Sequence, residues 1–202
     1  MFDSIIFDMD GTLVNLVKEI KEAWNESCVN HGWDKVFSSE DIKSIMGLRP
    51  REMAMMMFPN VDIDEGTKRI ETCTYEEIAY LKTHPGLTYV KNKKFLEQLS
   101  RKHKLFIVSN CLEGYIETFL ENHHFEKYFI ATRNAGNGKN KADNIKDIVN
   151  EYKLKTPLYV GDTILDFKSA MEAGVSFCHA SYGFGVVDCN MKINDIEELL
   201  SL

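Results

Sequence analysis

Asp8 and Asp10 stand one residue apart directly after the apolar run Ile5-Ile6-Phe7. In an extended backbone alternate side chains project to the same face, so the two carboxylates would end a buried segment side by side. Such a pair repels itself and needs a compensating cation. Gly11 follows at once and lets the backbone turn sharply or approach a ligand closely, with Thr12 after it. A second acidic pair lies in Gly161-Asp162-Thr163-Ile164-Leu165-Asp166, after Leu158-Tyr159-Val160. Its carboxylates are four residues apart, the spacing that shares one face of a helix start, where the helix dipole tolerates acids. Ser109-Asn110 ends another apolar run, Leu105-Phe106-Ile107-Val108, and two lysines, Lys139 and Lys141, sit in the Gly/Asn-rich stretch 136–141. Carboxylates of this kind suit a hard, oxygen-seeking cation, and an ammonium can offset negative charge on a bound anion.

Each group must be carried by an element that delivers it to the same place. Short apolar runs bounded by turn signals read as buried strands of a parallel sheet. They are Ile5–Phe7, Lys104–Val108, Tyr128–Thr132, Leu158–Val160 and Ser176–His179. Helical periodicity separates them, as in Phe95, Leu96 and Leu99, and in Ile145, Ile148, Val149 and Tyr152. Met191–Leu202 is expected to close the chain as a short helix. Alternating strands and helices imply a parallel sheet covered on both faces, and ligands of such sheets bind at strand carboxyl ends. All the candidate groups fall there. Between the first two strands the pattern is helical throughout: Leu16, Ile20, Trp24 and Cys28 with Gly32 to stop them, then a helix from Ser39, a Met-rich helix from Glu52 to Phe58 behind Pro50, and a helix from Asp64 to Leu81. The expected organisation is a core domain of residues 1–14 and 83–202 with a helical insert of residues 15–82.

The chain has 202 residues, 44% apolar and 27% charged, enough for a sizeable core. Its net charge of −7 argues against general nucleic-acid binding, which needs a basic face. No stretch is long and apolar enough for a membrane span, and the first residues enter a strand rather than a signal peptide. The five cysteines are widely spaced without a CxxC pattern and read as reduced thiols of a cytoplasmic protein. Monomer and dimer both stay open.

Asp8-Met9-Asp10-Gly11-Thr12 resembles the first motif of the haloacid dehalogenase superfamily in its phosphatase form. Ser109-Asn110, a lysine near 141 and Gly-Asp-Thr-x-x-Asp at 161–166 resemble its second, third and fourth motifs, in the family's order. The resemblance implies a Rossmann-like doubly wound α/β fold with strand order 5-4-1-2-3 and a helical type 1 cap, a small lid. It implies a Mg²⁺-dependent phosphomonoester hydrolase for a small phosphorylated metabolite, most like phosphoglycolate phosphatase-type enzymes. Asp8 would be the nucleophile, forming an aspartyl-phosphate, and Asp10 the general acid and base. Asp8, Asp162 and the Asp10 carbonyl would hold the metal, with Asp166 supporting from behind. Gly11, Thr12, Ser109, Asn110 and Lys141 would bind the phosphoryl group. Lys141 is preferred to Lys139 because Lys141-Ala142-Asp143-Asn144-Ile145 resembles the Lys-x-x-Asn-Ile form of one phosphatase branch. Asp10 argues against dehalogenation, since dehalogenase members lack an acid there. In Gly47-Leu48-Arg49-Pro50-Arg51-Glu52, which resembles a substrate-facing cap loop, Arg49 or Arg51 could grip an anionic substituent. The alternatives are a phosphomutase of the β-phosphoglucomutase type and a non-catalytic binding module.

Overall fold

A computed structural model of the chain describes residues 2–202. In chain order it begins with β1 (Ser4–Phe7) and β2 (Val14–Asn15), followed by helices α1 (Val17–His31), α2 (Ser39–Ile45), α3 (Pro50–Met57) and α4 (Ile63–Leu81). Then come β3 (Leu87–Thr88), α5 (Lys93–Lys102), β4 (Lys104–Val108), α6 (Tyr115–His123), β5 (Ala131–Arg133), α7 (Lys141–Glu151), β6 (Pro157–Gly161), α8 (Ile164–Glu172), β7 (Ser176–Ala180) and β8 (Lys192–Ile193). The chain divides into two compact units, Met1–Asn15 with Leu87–Leu202, and Leu16–Gly86.

The first unit is built on a parallel six-stranded sheet of order β5-β4-β1-β6-β7-β8. Its five long-anticipated strands take the expected 5-4-1-2-3 arrangement, and β8 adds a sixth at the edge. The central strand β1 is buried at every position and registers Phe7 against Ile107 of β4 and Val160 of β6. A strand enclosed on both sides and both faces must be apolar along its length, which is why Ile5-Ile6-Phe7 shows no alternation. On one face Ile6, Phe106 and Tyr159 meet Ile145 and Ile148 of α7 and Ala170 of α8.

Two expectations need correction. The third strand begins at Ala131, not Tyr128, because Glu126–Tyr128 closes a 3₁₀ turn with the Tyr128 amide on the Phe125 carbonyl. The C-terminal segment is β8 followed by a 3₁₀ turn, Ile196–Ser201, rather than an α-helix. Its buried residues, Ile193, Ile196 and Leu199, recur every third position, the period of a 3₁₀ turn, and β8 covers what would otherwise be the open edge of β7. A small antiparallel ribbon, Val14↔Thr88 and Asn15↔Leu87, pairs the two points where the chain leaves and re-enters this unit. Two-residue strands carry no sequence signal, and none was expected here.

The second unit is all helical among the described residues. α1 ends at Gly32 in the left-handed region, φ 67°. Ser38 caps α2 and shares a capping box with Asp41, and Pro50 opens α3. Trp24 on α1 donates its indole N–H to Glu77 Oε2 on α4 at 2.5 Å, and its ring meets Phe37 edge-on. Of the four methionines of α3, Met57 is buried while Met55 and Met56 are exposed.

Candidate active site

The site is assembled at the carboxyl ends of β1, β4 and β6. Asp8 follows β1 but stays in the sheet, its N–H donating to the Val160 carbonyl at 2.9 Å. The chain then turns through Gly11, φ 80°, where a Cβ would come within 2.1 Å of Asp162 Oδ2. Only a residue without a side chain allows Asp162 that close. Asp162 follows β6, and Asp166 lies in the first turn of α8, where Thr163 and Asp166 form a capping box. Carboxylate oxygens of Asp8, Asp162 and Asp166 lie within 4.8 Å of one another, all three residues buried.

Lys141 opens α7. A lysine in the first helical turn opposes the helix dipole, and it sits 3% exposed, so its position needs a specific compensation. That compensation is two carboxylates: Lys141 Nζ donates to Asp8 Oδ1 at 2.8 Å and to Asp166 Oδ1 at 2.7 Å. Burial works against the charged ammonium, but Asp166 and Asp8 outweigh it and hold Lys141 well above the usual lysine range. Lys139, the other candidate, instead pairs with Asp147 at 2.6 Å on the surface. Asn144 donates to the Asn134 carbonyl and accepts from Asn137, fastening the loop before α7 to the helix.

One ammonium against three buried carboxylates leaves an excess of negative charge. Burial, then repulsion by Asp166, holds Asp8 well above the ordinary carboxylate range, with Lys141 opposing. Burial and Asp166 push Asp162 up to about 7, against the Phe184 N–H that donates to its Oδ2 at 2.7 Å. Its Oδ1 is buried with no hydrogen-bond partner. Asp166, by contrast, is engaged at both oxygens, Oδ1 by Lys141 and Oδ2 by the Thr163 N–H and hydroxyl. An orphaned carboxylate oxygen beside excess negative charge and an all-oxygen donor set fit a hard divalent cation such as Mg²⁺. Asp8 and Asp162 have the oxygens to hold it, whereas both oxygens of Asp166 are already engaged.

The remaining expected residues of the sheet unit fall around this centre. Thr12 is buried in the turn after Asp8 and its carbonyl accepts from Tyr182 Oη at 2.9 Å. Ser109 and Asn110 follow β4, the neighbour of β1, with Ser109 buried and its N–H on the Arg133 carbonyl. Asp10 accepts from Tyr115 Oη at 2.7 Å, and burial pushes it up to about 6 despite that bond. Arg49 belongs to the helical unit, where it is the N-cap residue of α3 and its N–H donates to Glu52 Oε2. Arg51 pairs with Asp64 at 2.9 Å, both exposed. Reading the sequence missed Tyr115 and Tyr159, and it marks Tyr182–Gly185 only as a glycine-punctuated loop after the fifth strand. Tyr159 points its hydroxyl at the Val108 carbonyl at 2.9 Å, next to Asp166 Oδ1 at 3.4 Å. In sequence it is one more aromatic residue in an apolar strand.

A profile of the haloacid dehalogenase-like hydrolase family matches residues 5–180. The chain is 24% identical to the phosphoglycolate phosphatase of Vibrio parahaemolyticus over 192 residues, covering 89% of this chain and 84% of the relative. It is likewise 24% identical to that of Aquifex aeolicus over 198 residues, covering 95% and 89%. Among solved structures, a haloacid dehalogenase-like family hydrolase from Streptococcus pneumoniae superposes with a TM-score of 0.83 at 20% identity, covering 99% of this chain and 97% of that one. At that identity the likeness speaks for the fold.

Proposed function

The chain belongs to the haloacid dehalogenase-like hydrolase family, its relatives mark it as a phosphatase of that family, and from that premise we propose that it hydrolyses a small phosphorylated metabolite through an aspartyl-phosphate on Asp8. The observation that carries the reading is Lys141 bridging Asp8 and Asp166 inside a buried acidic trio whose Asp162 keeps an unpartnered oxygen. Mg²⁺, held by Asp8, Asp162 and the Asp10 carbonyl, would supply the charge that lets a carboxylate approach a phosphate dianion.

The chain's own groups then divide the work. An Asp8 oxygen attacks phosphorus in line, and the bond from phosphorus to the leaving oxygen breaks. Asp10 gives that oxygen its proton. Asp10 then takes a proton from the water that attacks phosphorus of the Asp8 acyl phosphate, and the bond from phosphorus to the Asp8 oxygen breaks, releasing phosphate and restoring both side chains. Lys141 and Ser109, with backbone groups of the Gly11–Thr12 turn and Asn110, steady the phosphoryl oxygens. Asp166 has no bond to make with substrate; it keeps Lys141 aimed and charged. Substrate choice we assign to the helical unit, with Arg49 as the group for an anionic substituent of the leaving group. The names of the two bacterial relatives support 2-phosphoglycolate as the first compound to try. Five free cysteines are in keeping with a cytoplasmic setting, and no described helix is long and apolar enough to cross a membrane.

The test is phosphate release from a panel of phosphorylated metabolites with Mg²⁺ present. Release above background from one class, lost in Asp8→Asn, is the expected result. Isomerisation of sugar phosphates without net phosphate release would make the protein a mutase, and neither activity would make it a binding module.

A further inference from the structure

Tyr115 is the first residue of α6 and is 3% exposed. A phenol buried that deeply must find a partner for its hydroxyl, and it finds Asp10 Oδ1 at 2.7 Å, 105 residues away in the chain. The contact is built from both sides. Asp10 is delivered by the turn after β1, whose Gly11 N–H is tied to the Val14 carbonyl. Tyr115 is delivered by the loop that leaves β4 with Ser109 and Asn110. Gly114 takes a left-handed conformation there, φ 92°, and its N–H is held by Glu117 Oε2 at 3.1 Å, which fixes the helix start and with it the phenol ring.

A carboxyl group turns about its last torsion over a broad, shallow well. A general acid must nevertheless present its proton along one direction to one atom. We propose that Tyr115 is a positioning residue for proton transfer: by donating to Oδ1 of Asp10 it fixes the carboxyl plane and reserves Oδ2 as the atom that exchanges the proton with the leaving oxygen and then with water. This rests on Asp10 being the acid and base of the reaction. In the first half of the cycle the proton leaves Oδ2 for the departing oxygen as its bond to phosphorus breaks. In the second, Oδ2 takes a proton from water as the water oxygen bonds to phosphorus. Oδ1 accepts from the phenol throughout, and the phenol proton is not transferred.

A residue that merely packs would affect all substrates alike, whereas a group that aims a proton matters in proportion to how badly the leaving oxygen needs one. The experiment is therefore kcat/KM across a series of substituted phenyl phosphates, from p-nitrophenyl to p-methoxyphenyl, for the parent, Tyr115→Phe and Asp10→Asn, all with Mg²⁺. Tyr115→Phe keeps the ring, so folding is checked simply by an unchanged melting profile. We expect Tyr115→Phe to lose roughly tenfold on p-methoxyphenyl phosphate and under about threefold on p-nitrophenyl phosphate, steepening the dependence on leaving group. Asp10→Asn should steepen it further. A uniform loss in Tyr115→Phe, or none, alongside a steepened Asp10→Asn series overturns the role of Tyr115 while leaving the assignment of Asp10 intact. An Asp10→Asn series with unchanged slope removes the assignment of Asp10, and the proposal with it.

Discussion

Asp8 and Asp162 make opposite demands on their surroundings. Asp8 has its charge answered by Lys141 at 2.8 Å, and Asn at that position would keep the shape while removing the nucleophile. Asp8→Asn should abolish turnover with the fold intact. Activity within tenfold of the parent, in material free of contaminating phosphatase, would remove Asp8 from its role. Asp162 has one oxygen on the Phe184 N–H and the other unanswered, and burial lifts it to about 7. The folded chain without metal thus holds a proton there that the unfolded chain, with an ordinary carboxyl near 4, gives up. This contribution to stability is full below about pH 4 and is lost as the pH rises through about 7. Proton and cation compete for the same atom. Mg²⁺ should therefore raise Tm more at about pH 8 than at about pH 6, and the difference should shrink in Asp162→Ala, where only Asp8 is left to exchange a proton for the ion. Chelator should stop catalysis, with restoration by added Mg²⁺. A Tm response to Mg²⁺ that is flat with pH would show that Asp162 is not where the ion competes.

At the scale of elements, the loop after β7 acts as a clasp. Its Phe184 N–H grips Asp162, Tyr182 Oη reaches the Thr12 carbonyl, and a Cβ on Gly183 would stand 2.3 Å from Asp162 Cβ and 2.4 Å from the Gly11 carbonyl oxygen. Gly183→Ala must push the loop off both. Overpacking of this kind costs about 1–3 kcal/mol, and a chain of this size loses a few degrees of Tm per kcal/mol. Calorimetric titration should also find weaker Mg²⁺ binding; unchanged Tm and affinity would mean that the loop yields freely. The sequence announced this loop only as glycine-punctuated, because what its glycines accommodate comes from strands far away in the chain. The same division runs through the molecule. Strand ends at Asp8, Ser109 and Asp162 were legible because a buried parallel strand must be apolar and a polar break in it stands out. Lys141 was legible through its helix-opening position and Asn144. Tyr115 and Tyr159 were not, since a buried tyrosine looks like core until the partner of its hydroxyl is known. The last strand and 3₁₀ turn were misjudged because a period of three over a short segment passes for a helix.

For the molecule as a whole, the two compact units divide chemistry from choice under the reading proposed here. All the acid, ammonium and hydroxyl groups of the candidate site lie in the unit formed by Met1–Asn15 and Leu87–Leu202, and Arg49 lies in the other. Arg49→Ala should then lower kcat/KM for an anionic natural substrate about 10- to 150-fold more than for p-nitrophenyl phosphate, the worth of a charge-assisted hydrogen bond of about 1.5–3 kcal/mol. Equal losses on both would put Arg49 on the transferred phosphoryl group, and no loss on either would leave it with no part in substrate choice. The ribbon of Val14–Asn15 with Leu87–Thr88 has a consequence of another kind. Because the strands leaving and re-entering the sheet unit are hydrogen-bonded neighbours, that unit experiences everything between them as one long hairpin loop. The entropy of closing a loop grows only with the logarithm of its length, about 0.6 kcal/mol per doubling. The ribbon is therefore a graft point: helices can be shortened, enlarged or exchanged beyond it at little cost to the sheet, and a tight two-residue turn joining Asn15 to Leu87 would complete it as an ordinary β-hairpin.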